Sequence, residues 1–174
     1  VGELSAETQA FVGYNANVVL PATHDTASAV LAAPLSAQTP YISSGTWSLL
    51  GVEQNYAHTS EAARDAGYSN EGSVKNTFRL QINIMGLWMI QSVRKEYEKK
   101  YSFAELCTMA EQVKEFPSRV DVNDDSFFAP DSMITAIQAY CENSGQPVPE
   151  TPGDIAAVVY QSLADCCGQA VKEI

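Results

Sequence analysis

The residues best suited to acid–base chemistry lie near the start of the chain, where His24 directly precedes Asp25. Apolar residues at 18–20 come before the pair and small residues at 26–33 follow it, which predicts a strand, a turn and a helix. Side chains at such a turn face the ligand crevice of an α/β sheet. A carboxylate there can accept a proton from a substrate hydroxyl, and an imidazole can bind the hydroxyls of a polyol.

Each of these two residues also has a purely structural interpretation. Aspartate is a favoured N-cap, so Asp25 could serve only to begin the helix, and residue type alone favours that role. His24 could be a buried histidine whose ring nitrogens bind backbone groups. Both interpretations stay open on the residue types and spacing.

A second candidate site is the hydroxyl-rich segment 43–46, with the sequence Ser-Ser-Gly-Thr. Gly45 lets a ligand approach the backbone closely, and the amides and hydroxyls around Thr46 could bind phosphate oxygens. An ordinary hairpin explains the same residues, because strands are predicted at 40–44 and 47–53.

The elements that must position these residues are strands first and helices afterwards, with at least one strand–helix unit. Asn83 and Gln91 are polar residues on the longest predicted helix, where an amide beside apolar residues needs a partner. We expect three large side chains, Trp47, Met85 and Trp88, to belong to the core. The predicted strands are 17–22, 40–44 and 47–53. The predicted helices are 6–11, 26–33, 82–101, 102–114, 130–142 and a last one from residue 151. A polar loop covers 54–78, with a short strand at 77–81.

Size and charge limit the class of protein. The 174 residues are 45% hydrophobic, which is enough for one globular domain with a core. The net charge of −11 argues against a nucleic-acid or anionic membrane partner, and no apolar run reaches the about 18 residues of a membrane span. Because the chain begins with Val1 and ends inside a predicted helix, we expect it to be a piece of a larger protein.

Several other chemistries find no support in the sequence. The four cysteines have no metal-ligand spacing, and we expect reduced thiols, as in a cytoplasmic protein. The nucleophile motif Gly-x-Ser-x-Gly and the phosphate-binding Walker A motif are both absent.

Four segments in the same order resemble the rhamnulokinases of the FGGY carbohydrate kinase family. They are Ala-Thr-His-Asp-Thr-Ala-Ser-Ala-Val at 22–30, Tyr-Ile-Ser-Ser-Gly-Thr-Trp-Ser-Leu at 41–49, Asn-Glu-Gly at 70–72 and Asn-Ile-Met-Gly-Leu-Trp at 83–88. The resemblance implies an α/β fold of the actin-like, ribonuclease-H-like ATPase type, with a mixed sheet and flanking helices. Residues 1–174 would form one incomplete C-terminal domain, without the N-terminal kinase domain and the final C-terminal segment.

The same resemblance implies a reaction and a role for each matching residue. ATP and L-rhamnulose would give L-rhamnulose 1-phosphate and ADP with Mg²⁺, in cytoplasmic L-rhamnose catabolism. Asp25 would be the catalytic base. The sugar would be bound by His24, Asp25, Thr26 and Asn83, and ATP by Gly45, Thr46 and Gln91.

Two positions depart from the family pattern: Ser73 stands where a second glycine is expected, and Gln81 where a basic residue is expected. The alternatives within reach are a kinase for another deoxy-ketose such as L-fuculose, or a non-catalytic actin-like module that binds sugar. The intact segments 24–26 and 45–46 argue against the module, since a sensor needs no base beside a hydroxyl. With half of the cleft absent, we expect this chain to be inactive alone.

Overall fold

The computed structural model describes residues 2–20, 22, 24–36, 39–113 and 116–174, and only the backbone of Lys75. Its strands are β1 Gly2–Glu3, β2 Asn17–Val18, β3 Tyr41–Ser44, β4 Trp47–Gln54, β5 Ser69–Gly72 and β6 Phe78–Met85. Its helices are α1 Ala6–Val12, α2 Asp25–Ala32, α3 Glu61–Asp65, α4 Trp88–Glu96, α5 Phe103–Gln112, α6 Met133–Asn143 and α7 Pro152–Glu173. Single 3-10 turns occur at Val74–Asn76 and Asp125–Phe127. No described helix is both long and apolar enough to cross a bilayer.

Four strands form the main sheet in the order β3-β4-β6-β5. The predicted α/β class with flanking helices is confirmed. The described pairings are all antiparallel, where a mixed sheet was expected. β3 and β4 are joined by a tight turn and β5 and β6 by a short segment, whereas a parallel pair needs a longer crossover connection. The predicted strand at 17–22 is shorter: only β2 forms, and it pairs with β1 in a separate two-stranded sheet.

One face of the main sheet is closed by helices. Leu50 and Ile84 are buried in the same core as α4 and α7, which contribute Val93 and Val158. Leu50 and Ile84 point to this face by the two-residue period of a strand, while Arg79 and Gln81 of the opposite face are buried as well. The hydrophobic core therefore lies between the sheet and the helices, and the opposite sheet face is left for other uses.

The prediction of one long helix at 82–101 is wrong at both ends, since the helix α4 covers only Trp88–Glu96. Residues 78–85 form β6, and the chain turns at Gly86 before α4 begins at Trp88. β6 pairs with β4 along eight positions, from Phe78 opposite Gln54 to Met85 opposite Trp47. This ladder outweighs the weak helical periodicity of the segment.

The polar segment 54–78, expected as a loop, contains regular structure. Ser60 caps the short helix α3 by accepting a hydrogen bond from the Ala63 N–H at 3.2 Å. The strand β5 has the sequence Ser-Asn-Glu-Gly and no apolar alternation, so only its pairing with β6 reveals it.

The starts of α5 and α7 were predicted correctly because their caps are local. Reciprocal capping boxes join Ser102 to Glu105 at the start of α5 and Thr151 to Asp154 at the start of α7. The predicted end of α5 at residue 114 lies outside the described residues, within which the helix ends at Gln112.

Candidate active site

An open cleft of about 900 Å³ lies where the start of α2 faces the ends of β4 and β6. It contains every site residue predicted from the sequence except Gln91. Its lining residues are His24, Asp25, Thr26, Ala29, Ser43, Gly45, Thr46, Trp47, Leu49, Asn83 and Phe128.

Asp25 is a highly exposed acidic group of the cleft. It is the first residue of α2, while the N-cap position belongs to His24, which makes no side-chain capping bond. The Asp25 Oδ1 accepts the Thr26 N–H at 2.6 Å, and its side chain is 96% exposed. Its Oδ2 accepts no hydrogen bond from the residues that the structure describes. One carboxylate oxygen is thus held by the helix start, and the Asp25 side chain lines the cleft.

His24 stands beside this carboxylate. Its Nδ1 lies 3.3 Å from the Asp25 Oδ1, and its side chain is 57% exposed. The alternative of a buried histidine satisfied by backbone groups is therefore wrong. The ring is placed to bind a hydroxyl of the same ligand that contacts Asp25.

The hairpin between β3 and β4 forms the second side of the cleft. The Gly45 N–H donates to the Trp47 carbonyl oxygen at 3.0 Å, so this amide is not available to a phosphate. Thr46 is exposed, and its hydroxyl has no described hydrogen-bond partner. If the hairpin binds phosphate, Thr46 is the residue that supplies the donor.

The hairpin is bonded to the start of α4. The Leu87 and Trp88 N–H groups donate to the carbonyl oxygens of Gly45 at 2.9 Å and Thr46 at 3.1 Å. Gly86 makes this approach possible, because a Cβ there would lie 2.5 Å from the Gly45 oxygen. The helix start therefore fixes the position of the hairpin, and these two amides are used for that purpose.

The two predicted amide residues end up in different places. Asn83 lies on β6 opposite Leu49, exposed and facing the cleft. Gln91 lies on α4 and lines a separate depression of about 540 Å³, together with Trp88, Arg94 and Lys99. Asn83 is thus joined to Asp25 in one cleft, and Gln91 is not.

An aromatic pair that the sequence did not predict lies at the rim of the cleft. Trp47 was assigned to the core, yet it is 43% exposed, and its ring centroid lies 5.4 Å from that of Phe128, which is 62% exposed. Met85 is buried as expected, and Trp88 is half-buried against the core. The available signal for Phe128 was its position beside Phe127, since two adjacent residues in a tight turn rarely both face the core.

A buried polar network continues the cleft face of the sheet. The Tyr41 hydroxyl donates to the Gln81 Oε1 at 2.9 Å, and the Gln81 Nε2 donates to the Glu71 Oε1 at 2.8 Å. The Arg79 Nη2 donates to the Glu71 Oε2 at 2.7 Å, and Arg79 is only 2% exposed. Burial raises the pKa of Tyr41 to about 12 despite the nearby Arg79. An amide at 81 can accept and donate at once, which a basic side chain cannot.

The described residues contain no cluster of three or more acidic, histidine or cysteine side chains that could hold a metal ion by itself. Mg²⁺ in phosphoryl-transfer sites is commonly held by one or two carboxylates together with substrate phosphates.

Known proteins match the chain in sequence over all or most of its length. A protein named rhamnulokinase from Halalkalibacterium halodurans is 49% identical to this chain, and one from Oceanobacillus iheyensis is 44% identical. Each match covers the whole of this chain and 37% of the relative's length. A rhamnulokinase of Enterococcus faecalis is 46% identical over 97% of the chain and 35% of its own length. The chain thus spans little more than a third of these relatives. Residues 40–174 match the C-terminal domain of the FGGY family of carbohydrate kinases, and the chain belongs to that family.

Proposed function

We propose that this chain forms one wall of the active site of an L-rhamnulose kinase, which converts ATP and L-rhamnulose into ADP and L-rhamnulose 1-phosphate. The observation that carries the proposal is the cleft itself, in which Asp25, Thr46 and Asn83 face one open space. The names of the relatives support the choice of sugar. The alternatives are a kinase for L-fuculose and a sugar-binding module without catalysis.

Asp25 acts as the base. Its Oδ2 accepts the proton of the primary hydroxyl of the sugar as that oxygen bonds to the γ-phosphorus of ATP. The bond between the γ-phosphorus and the bridging oxygen breaks, and ADP leaves. The hydrogen bond of the Thr26 N–H to Oδ1 fixes the carboxylate, so that positioning is complete before the transfer.

The neighbouring groups orient the two substrates. His24 and Asn83 bind sugar hydroxyls from opposite sides of the cleft, with Thr26 beside them. Thr46 binds a phosphate oxygen through its hydroxyl, held by the hairpin's bonds to α4. Mg²⁺ accompanies ATP and neutralises charge on the phosphates when bound. Gln91 contacts the nucleotide beyond the phosphates, from its separate position on α4.

The cleft is open on the side away from the sheet, and phosphoryl transfer needs a site that excludes water. We propose that another domain of the same polypeptide closes it, since the chain spans only 37% of the length of two relatives named above. The chain alone would then show no turnover.

All four cysteines are free, which fits a cytoplasmic location.

The test uses the complete kinase, in which this chain is joined to its remaining domains. ADP release is measured with L-rhamnulose, with L-fuculose and without sugar, for the wild type, Asp25→Asn and Asp65→Asn. We expect release with L-rhamnulose, and an about 10²–10⁴-fold loss of kcat in Asp25→Asn, the usual contribution of a general base. Asp65, an exposed residue of α3 outside the cleft, serves as the control.

Three outcomes would contradict the proposal. Preferred turnover of L-fuculose would assign the other sugar, and sugar binding without ADP release would favour the module. A near-normal rate in Asp25→Asn would return Asp25 to a purely structural role at the helix start.

A further inference from the structure

We infer that Trp47 and Phe128 form an aromatic wall that binds the apolar side of the sugar and selects a methyl group over a hydroxymethyl group at its end. The inference rests on the proposed function and goes beyond it, because it assigns the basis of sugar selectivity to two residues outside the predicted site.

The position of Trp47 follows from the alternation along β4. Ser48 and Leu50 are buried on the helix side of the sheet, so Trp47 and Leu49 face the cleft. Leu49 lies directly opposite Asn83 on β6. The Trp47 ring therefore borders the part of the cleft where Asn83 contacts the sugar.

Phe128 is held against Trp47 by a turn that is fixed at two points. Phe127 is fully buried, with its ring centroid 5.5 Å from that of Tyr140. The Asn123 side-chain oxygen accepts the N–H of Met85, at the end of β6, at 3.0 Å. The turn thus anchors one phenylalanine in the core and presents the next one to the cleft.

The exposure of this pair needs an explanation, because two adjacent aromatic rings left half open to water forgo much of their burial energy. The C–H faces of a sugar are apolar and pack on aromatic rings. The occupant is the sugar rather than the purine, because Gln91, the proposed nucleotide contact, lines a different depression.

The wall also has a consequence for selectivity. L-rhamnulose ends in a methyl group, and its hydroxylated counterpart L-fructose ends in a hydroxymethyl group. A hydroxyl placed against Trp47, Phe128 and Leu49 would lose its water without gaining a partner, which is unfavourable. A methyl group in the same place gains apolar contact.

The experiment compares kcat and KM of the complete kinase for L-rhamnulose, L-fructose and ATP. The variants are Phe128→Ala, Phe128→Leu and Trp47→Phe, with Phe11→Ala as control because Phe11 is 91% exposed and outside the cleft. Phe128→Leu keeps an apolar side chain of similar size, so it retains the fold if Phe128→Ala does not.

We expect KM for L-rhamnulose to rise about tenfold in Phe128→Ala, the usual effect of removing apolar contact in a specificity pocket. KM for L-fructose should change much less, so that discrimination falls, while kcat and KM for ATP stay near the wild-type values. Phe128→Leu and Trp47→Phe should show smaller shifts in the same direction.

Equal increases of KM for both sugars would overturn the methyl selectivity. An increase confined to ATP would assign the wall to the nucleotide, and unchanged constants in all variants would remove it from the site. If the wild type releases no ADP with L-rhamnulose, the proposed function is refuted, and this inference with it. If the wild type is active and the variants keep its sugar selectivity, only the inference is refuted.

Discussion

The two faces of the four-stranded sheet have different roles, although the same strands form both. The helix face presents Leu50 and Ile84, which are fully enclosed with the helices in one apolar core. The opposite face presents Arg79, Gln81 and Asn83, which lead from a buried polar network to the open cleft. One face stabilises the domain, and the other places polar groups where a ligand can reach them.

The polar face itself changes along its length. At one end Arg79 and Gln81 are buried and bonded to Glu71. Two positions further along β6, Asn83 is exposed in the cleft. The bonds of Glu71 to Arg79 and Gln81 link β5 to β6 beside the open site, while the buried Arg79 Nε and Nη1 have no partner among the described residues.

The largest effect on stability should come from breaking the network on the polar face. In Glu71→Ala, the buried Arg79 loses its carboxylate partner, and the free energy of unfolding should fall by about 3 kcal/mol. Urea unfolding of the complete kinase measures it. The control Asp65→Ala removes an exposed ion pair with Arg64 and should cost less than about 1 kcal/mol. Equal losses would show that the network contributes no more than a surface pair.

Two adjacent leucines compare the faces directly. Leu50 is fully buried on the helix face, so Leu50→Ala should lower the free energy of unfolding by about 2–3 kcal/mol through lost contact and a cavity. Leu49 lies on the cleft face and is only partly buried, so Leu49→Ala should cost less than about 1.5 kcal/mol. Both values come from urea unfolding, and a larger loss in Leu49→Ala would reverse the assignment of the faces.

The contact between the hairpin and α4 gives a third test. In Gly86→Ala the added Cβ would lie 2.5 Å from the Gly45 oxygen and 2.7 Å from the Thr46 oxygen, so the hairpin must move. We expect a loss of stability of about 1–2 kcal/mol and a raised KM for ATP. Gly72→Ala, in β5, meets nothing within 4 Å and should leave KM unchanged. An unchanged KM in Gly86→Ala would separate the hairpin from phosphate binding.

The smallest effect is a pH dependence from Tyr41. Burial raises the pKa of Tyr41 to about 12 from its ordinary value of 10.0, so the unfolded chain loses this proton first as pH rises. The protonated Tyr41 hydroxyl stabilises the fold fully below pH 10, and this stabilisation is lost as the pH rises towards 12. About 1 kcal/mol of it is lost by pH 11. Unfolding between pH 9 and 11 should therefore be less pH-dependent in Tyr41→Phe than in the wild type. Tyr14→Phe, at an exposed position, should retain the wild-type slope, and an unchanged slope in Tyr41→Phe would contradict the burial of this hydroxyl.

Local signals predicted the caps and the turn that carries the site. Ser102 and Thr151 begin their helices as expected, because a cap depends on residues three positions apart. Asp25 and Thr46 reach one cleft because each lies at the end of a short element whose type the sequence indicates. The assignment of roles to them came from the family resemblance, and those roles remain proposals.

Tertiary effects account for the errors. Asn83 was placed on a helix, and only the pairing of β6 with β4 turns it towards the cleft. Trp47 was assigned to the core because its size suggests burial, while its position in the alternation of β4 leaves it open. Gln91 lies in a separate depression because the turn at Gly86 carries α4 away from the cleft, and its nucleotide contact stays a prediction.

The central claim is that the free oxygen of Asp25 receives the proton of the sugar hydroxyl that is phosphorylated. The most direct measurement is a crystal structure of the complete kinase with L-rhamnulose and a non-hydrolysable ATP analogue. We expect the Asp25 Oδ2 to lie about 2.6–3.2 Å from the oxygen on carbon 1 of the sugar, with Oδ1 still accepting the hydrogen bond of the Thr26 N–H. A sugar bound with that oxygen out of reach of Asp25, or with both carboxylate oxygens bonded to the backbone, would contradict it.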